Sequence, residues 1–240
     1  MTLLGIDVSR WQDDNSTPQM VDFNRARSAG ANYVFIKASQ STWMDQDILK
    51  NWQNARAAGV PRGAYHFLDW TTTGAAQGKF FAGVLKNDSG ELTPVIDYEC
   101  RANIQGKKAA TEGLYAACNT VEIALGRRVM IYTGPSYWRE FWDGTHADYF
   151  AARPLWIANY GVAKPAIPAP WKDWMFWQYS AKGDGLKFGA ESKDLDMDYY
   201  NGDLAAFNAA FGLAHEPTDH EILLDLVKRV EALEGKLWIS

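Results

Sequence analysis

The chain has 240 residues, 47% of them hydrophobic and 22% charged, which suits a single well-buried globular domain. A net charge of -5 with no run of Lys or Arg excludes nucleic acid as the partner, because that binding needs a basic patch to neutralise phosphates. The two cysteines, Cys100 and Cys118, have neither metal-ligand nor redox spacing and are expected as free thiols of a chain made in a reducing compartment. Asp7 and Arg10 interrupt the N-terminal "LLGIDVSRWQ", so no signal peptide and no membrane span is expected, nor a membrane as partner.

Short apolar runs alternate with segments of helical period from residue 3 to residue 212. "LLGIDVS" reads as the first strand. "MVDFNRARSAG" reads as a helix closed by Gly30, "YVFIKAS" as a strand, and "DQDILKNWQNARAAG" as a helix closed by Gly59. Strands follow at "RGAYHFL", "TPVIDYE", "RVMIYT", "PLWIANY" and "WMFWQYS", with helices near 72–87, 106–126 and 135–142, and a last strand at "LDMDYY" before "DLAAFNAAF". This α/β rhythm predicts a parallel sheet closed into an irregular (β/α)8 TIM-like barrel over residues 1–212. An open doubly wound sheet would want a Gly-rich phosphate loop after the first strand, and there is none. Residues 213–219, with Pro217, read as a linker. Residues 220–240 read as a C-terminal helix in which Leu223, Leu226, Val230, Leu233 and Leu237 form an a/d stripe, with Arg229 and Glu234 placed for an interhelical ion pair. That stripe predicts a homo-oligomer; the alternative is a helix docked on the barrel.

A barrel of this kind places its chemistry at the C-terminal ends of the strands. Polar residues end many of them: Asp7, Lys37, Tyr65 with His66, Asp97 with Glu99, Tyr132, Gln178 and Asp198. Strand period two puts Asp97 and Glu99 on one face and turns Tyr98 away. Two acids so close resist simultaneous ionisation, which leaves a protonated carboxyl available near neutral pH. Glycosidic cleavage needs such a pair, one acid to protonate the leaving oxygen and a second to stabilise or attack the oxocarbenium-like centre. Asp7 or Asp198 alone would serve equally well as a helix cap. His66 suits an orienting or sugar-contacting role, because the other histidines lie in unrelated segments without zinc-ligand spacing; no metal and no cofactor is expected. A Cys100 and His66 peptidase is disfavoured, since Cys100 follows Glu99 directly and turns to the opposite face. Eleven each of Trp, Tyr and Phe exceed what a plain core needs and suit the stacking of sugar rings.

The motifs "GIDVSRWQ", "FIKASQS", "GAYHF", "PVIDYE", "MIYTG", "LWIANY", "FWQYS" and "DMDYYNGD" follow one another between residues 3 and 211. In this order and spacing the chain resembles glycoside hydrolase family 25, the Chalaropsis-type lysozymes common among phage endolysins. The resemblance implies an N-acetylmuramidase on an irregular β/α barrel, cleaving the β-1,4 bond between N-acetylmuramic acid and N-acetylglucosamine in peptidoglycan. It implies Glu99 as general acid/base and Asp97 as the group that attacks the sugar or steers its 2-acetamido group. Asp7 and Asp198 match the outer acids, and Tyr65, Tyr132, Trp156, Tyr160, Gln178 and Tyr179 match the sugar groove. Two departures stand out. Gln40 and Ser41 occupy positions where the family commonly has Glu and Gly, and the closing "DxN" reads "DYY" from Asp198, which puts Tyr200 in place of Asn and leaves Asp196 able to substitute for Asp198. A phage-type enzyme would be made in the host cytoplasm and released to the wall by a separate permeabilising protein. From another class, a glycan-binding barrel made multivalent by the tail helix is the alternative.

Overall fold

The computed structural model describes residues 2–13 and 20–213, together with Leu223, Leu226 and Val227. The chain divides into two compact units, Met1–Leu204 and Ala205–Ser240.

In the first unit eight strands close a barrel: β1 (Leu3–Val8), β2 (Val34–Gln40), β4 (Arg62–Phe67), β5 (Val95–Asp97), β6 (Met130–Thr133), β7 (Leu155–Ala158), β8 (Phe176–Asp184) and β9 (Asp194–Tyr200), with a two-residue β3 (Trp43–Met44) hairpinned onto β2. The order runs β1-β9-β8-β7-β6-β5-β4-β2, and β2 pairs back to β1. Every predicted strand is present. The expectation of an all-parallel sheet is corrected at β9, which is antiparallel to both β8 and β1. The cause is local: only nine residues, 185–193, separate β8 from β9, too few for a parallel crossover, which takes a dozen or more.

Helices α1 (Phe23–Ser28), α2 (Ile48–Ala57), α3 (Gly74–Leu85), α4 (Lys107–Leu125), α5 (Pro135–Phe141) and α6 (Ala147–Ala151) surround the strands. Boundary signals are plain at three of them. Asp22 and Thr73 cap α1 and α3 by accepting N–H bonds from Arg25 and Ala76, and Gly126 ends α4 in the left-handed conformation at φ 64°. In α4, Ala110, Leu114, Cys118 and Val121 recur at helical spacing and are buried toward the strands. The chain continues into α7 (Leu204–Phe211), with Phe207 and Phe211 in ring contact. The a/d stripe expected over 220–240 lies outside the described residues except for Leu223 and Leu226, which are helical and exposed.

An apolar layer fills the space between strands and helices, and a second one plugs the barrel itself. Phe35 stacks on Trp156 at 4.4 Å and meets Phe176 edge-on at 5.0 Å; Tyr33 and Tyr200 also pack against Phe176. Each such buried ring contributes about 2–3 kcal/mol. Glycines make room for them, since a Cβ on Gly5 would stand 2.2 Å from the Tyr33 ring and one on Gly63 2.3 Å from Phe35. The plug floors the barrel below its C-terminal mouth.

Candidate active site

Above the plug lies an open cavity of about 150 Å³, lined by Asp7, Tyr65, Asp97, Glu99, Tyr132, Trp156, Tyr160, Gln178 and Asp196. Enclosed small-molecule pockets begin near roughly 300 Å³, so this pit admits one end of a ligand whose remainder lies across the open mouth.

Each wall follows from strand alternation. β5 ends at Asp97, and the chain continues extended along β6: Tyr98 N donates to Tyr132 O at 2.9 Å and Thr133 Oγ1 donates to Tyr98 O at 2.8 Å. Asp97 and Glu99 therefore face inward together, while Tyr98 is buried outside the barrel and donates its hydroxyl to Phe141 O. Asp97 is buried and its Oδ1 has no hydrogen-bond donor among the described residues, which leaves a lone pair unsatisfied at the pit wall. Burial first, and the Glu99 charge second, push the Asp97 carboxyl well above the ordinary range. Glu99 stands exposed at the rim with its carboxyl against the pit wall. That desolvation, followed by the Asp196 charge, raises its pKa against the opposing Tyr132 hydroxyl and Lys37.

Gln178 connects the opposite wall. Its Nε2 donates to Asp7 Oδ2 at 2.7 Å, and its Oε1 accepts from the hydroxyls of Tyr132, at 2.8 Å, and Tyr160. Tyr160 sits on the loop after β7, held where Trp177 Nε1 donates to Asn159 O at 2.8 Å. Asp198, fully buried, accepts from Trp156 Nε1 at 2.8 Å through Oδ1. Asp198 Oδ2 has no N–H or hydroxyl donor among the described residues, yet the Asp7 carboxyl lies within hydrogen-bonding reach. Two carboxyls in that contact hold one proton between them. Burial, then Asp196 and Asp198, drive the Asp7 pKa well upward, and burial also raises Asp198 against the bond from Trp156.

Most of the predicted residues converge here: Asp7, Tyr65, Asp97, Glu99, Tyr132, Trp156, Tyr160 and Gln178 line the pit. Asp7 and Asp198 are not helix caps. Asp198 lies beneath the pit rather than on its wall, and Asp196 takes the wall position, with a carboxyl raised to about 6 by burial and then Asp194. Asp196 was legible as the residue two before Asp198 on the same strand face. Lys37 stands beside the pit, donating to Gln40 Oε1 at 3.0 Å and feeling the charges of Asp97 and Glu99.

Two predicted sugar contacts are corrected. His66 follows inward-facing Tyr65 and so points out of the barrel, fully buried between Ser39 Oγ at 2.8 Å and Gln77 Oε1 at 3.1 Å, with burial pulling its pKa down to about 4. Tyr179 follows inward-facing Gln178 and stacks outside on Tyr199 at 4.1 Å. The two departures at 40 and 41 also resolve. Gln40 bridges Lys37 and Asp69, and Ser41 takes the left-handed φ of 49° that a glycine would adopt freely, its hydroxyl 2.7 Å from that of Thr71. Tyr200 belongs to the plug. Among the described residues no three His, Cys, Asp or Glu side chains are placed to hold a metal ion, and no helix is long and apolar enough to cross a membrane. Both cysteines are free thiols.

Comparison with known proteins agrees with this geometry. The model of glycosyl hydrolases family 25 matches residues 6–186. Lysozyme M1 of Streptomyces globisporus is 34% identical over 213 residues, covering 84% of this chain and 68% of that protein. The N,O-diacetylmuramidase of Chalaropsis sp is 30% identical over 213 residues, covering 81% of this chain and 94% of that one. Among solved structures, the bacterial lysozyme from Streptomyces coelicolor superposes with a TM-score of 0.75 at 30% identity, over 88% of this chain and 97% of its own. With its acid pair, its mixed eight-stranded barrel and these matches, the chain belongs to family 25 of the glycosyl hydrolases, whose barrel it shares.

Proposed function

We propose that this chain is an N-acetylmuramidase that hydrolyses the β-1,4 bond between N-acetylmuramic acid and N-acetylglucosamine in bacterial peptidoglycan. The observation that carries this is the placement of Asp97 and Glu99 on one pit wall, with Glu99 at the open rim and raised in pKa. Glu99 donates its proton to the leaving glycosidic oxygen as the bond to the anomeric carbon breaks. Asp97, deeper and with an unsatisfied oxygen, acts on the anomeric side, either by attacking the carbon or by orienting the 2-acetamido group that does so. Glu99, now a carboxylate, takes a proton from the incoming water, whose oxygen completes the new reducing end. Asp7, Asp198 and Gln178 hold the far wall in place, and Tyr65, Tyr132, Trp156 and Tyr160 shape it for the sugar.

The test is digestion of purified peptidoglycan by the wild type and by Glu99→Gln, with borohydride reduction and mass spectrometry of the new ends. Muramitol ends with the wild type and none with the variant support the proposal. Glucosaminitol ends would move the cut to the other bond, and no ends on several wall types would favour a glycan-binding barrel. Considerable activity in Asp97→Asn supports the orienting role; near-complete loss supports attack.

The finer role proposed is host lysis by a phage, the protein being made in the host cytoplasm and released by a separate permeabilising protein. It rests on the motif series shared with phage-type lysozymes. Expression in a sensitive host with and without a membrane-permeabilising partner tests it, lysis being expected only with the partner. Self-association through residues 220–240 is proposed from the a/d stripe, and a truncation before Pro217 is expected to lower the mass seen by light scattering.

A further inference from the structure

Directly after β1, Arg10, Trp11 and Gln12 form a 3-10 turn whose backbone is tied on three sides. Ser9 and Gln12 exchange capping bonds, Asp45 Oδ2 accepts the Arg10 N–H at 3.4 Å, and Gln12 O accepts the Glu191 N–H at 3.0 Å. The side chains, by contrast, are left outside. Trp11 is 70% exposed, and Trp43, facing it from the β2–β3 hairpin, is 39% exposed. Two large apolar rings standing in water at the mouth of a site contribute nothing to folding that a small polar residue would not.

Between them lies a cation. The Arg10 guanidinium carbon is 4.7 Å from the Trp11 ring centroid and 5.7 Å from that of Trp43, and Lys37 Nζ is 5.8 Å from the same Trp43 ring. Lys37 donates to an amide, Gln40 Oε1, and not to a carboxylate. Among the described residues no carboxylate lies within salt-bridge distance of either cation. Asp45, beneath the turn, is buried and accepts the backbone N–H groups of Arg10 and Asp47.

The guanidinium lies over one face of each ring, so the cluster offers a cation as well as aromatic surface. What remains open on the guanidinium is its N–H edge. A planar guanidinium held on indole faces keeps its fork of donors fixed and poorly hydrated, the arrangement suited to a carboxylate. The pit alongside carries Asp7, Asp97, Glu99 and Asp196 and repels anions, so a substrate with neutral sugars and an anionic side arm separates its two parts between pit and rim.

We propose that the rim formed by Arg10, Trp11 and Trp43 binds a carboxylate of the peptide stem borne by the glycan strand, beside the pit that receives the sugar. This rests on the peptidoglycan reading above. The test compares soluble glycan strands carrying native stems with the same strands after carbodiimide coupling of every carboxylate to methylamine, which removes charge and keeps the sugars. Reducing-end release is measured for the wild type and Arg10→Gln, and melting curves check that the variant is folded. The wild type should show about fivefold lower KM on the anionic strands, as one exposed charge contact provides. In Arg10→Gln that preference should vanish through KM with kcat on the neutral strands unchanged. A preference that persists in the variant, or an equal loss on both strands, overturns the proposal, the latter assigning the rim to sugar. If the wild type shortens neither strand, it is the peptidoglycan reading that fails.

Discussion

Replacing Gln178 with Leu removes one donor and one acceptor from the centre of the far wall while keeping nearly the same volume. Three bonds go with it. The Tyr160 hydroxyl is half exposed and finds water, and the Tyr132 hydroxyl keeps Glu99 within reach, so these two losses are small. Asp7 is different: it is 5% exposed, and its Oδ2 loses the 2.7 Å bond from Nε2 with no solvent to replace it. An unsatisfied buried carboxyl oxygen costs about 1–3 kcal/mol, and with the tyrosines the sum is about 2–4 kcal/mol. At roughly 2–4 °C per kcal/mol for a chain of this length, the melting temperature should fall by roughly 5–15 °C. Activity should fall about a hundredfold, because Asp7 and the tyrosines that set the wall lose their common anchor. Gln178→Glu is the informative partner. It keeps the acceptor for both hydroxyls and turns the donor edge into an acid facing Asp7, so its folded pKa is raised, and its relative stability is greatest at acid pH and lost as pH rises. Thermal melting from pH 4.5 to 8 with a parallel turbidity assay on cell walls reads both effects. A Gln178→Leu protein that melts within about 2 °C of wild type and keeps its activity would refute the hub.

The outward placement of His66 predicts that His66→Ala affects folding and not substrate. Loss of the Ser39 and Gln77 bonds and the cavity left against Phe81 should cost about 3 kcal/mol, with KM unchanged in the folded fraction; a KM effect without destabilisation would return His66 to the groove. Stability should pass through a maximum at about pH 4, where the unfolded carboxyls titrate. On the alkaline side, Asp196, raised to about 6, and Asp7, Asp97 and Asp198, raised by burial well above the ordinary carboxyl range, contribute stability that is fully present below their unfolded pKa and lost as pH rises through the folded values. On the acid side, Asp88, Glu91 and Glu122 have lowered pKa values beside Arg62 and Arg153, so their contribution is present above the unfolded pKa and lost as pH falls through the folded one. A melting temperature that rises steadily from pH 5 to 8 would contradict this.

The strands were legible because each is an apolar run ending in polar residues, and Asp97 and Glu99 because period two needs only their spacing. The same rule, applied one residue further, excludes His66 beside Tyr65 and Tyr179 beside Gln178; His66 takes its assignment from its place at a strand end and Tyr179 from the family resemblance, and neither assignment applies the alternation. α6 went unread because five residues, Ala147–Ala151, are too few to show a helical period. The rim of Arg10, Trp11 and Trp43 could not be read at all, since its members come from the ends of two strands brought together only by barrel closure through the β1–β2 pairing.

The direction of β9 decides which acid meets substrate. In a parallel strand the later residue stands nearer the mouth, which makes Asp198 the natural choice. β9 runs the other way, and its register with β1 pairs Asp7 with Asp196 and Gly5 with Asp198. Since β1 climbs toward the mouth, Asp196 stands level with Asp7 on the pit wall and Asp198 lies two residues, about 7 Å, below. The acids thus form two layers, Asp7 and Asp196 above and Asp198 below; Asp7 shares a proton downward with Asp198, while Asp196 acts on Glu99. Asp196→Asn removes the charge that helps raise Glu99, so the alkaline limb of the pH-activity profile should move to lower pH with little change in its acid-side rate. Asp198→Asn instead disturbs a fully buried partner of Trp156 and should appear first as lost stability. If the two variants exchange these signatures, the layered arrangement is wrong and Asp198 is the acid that faces the sugar.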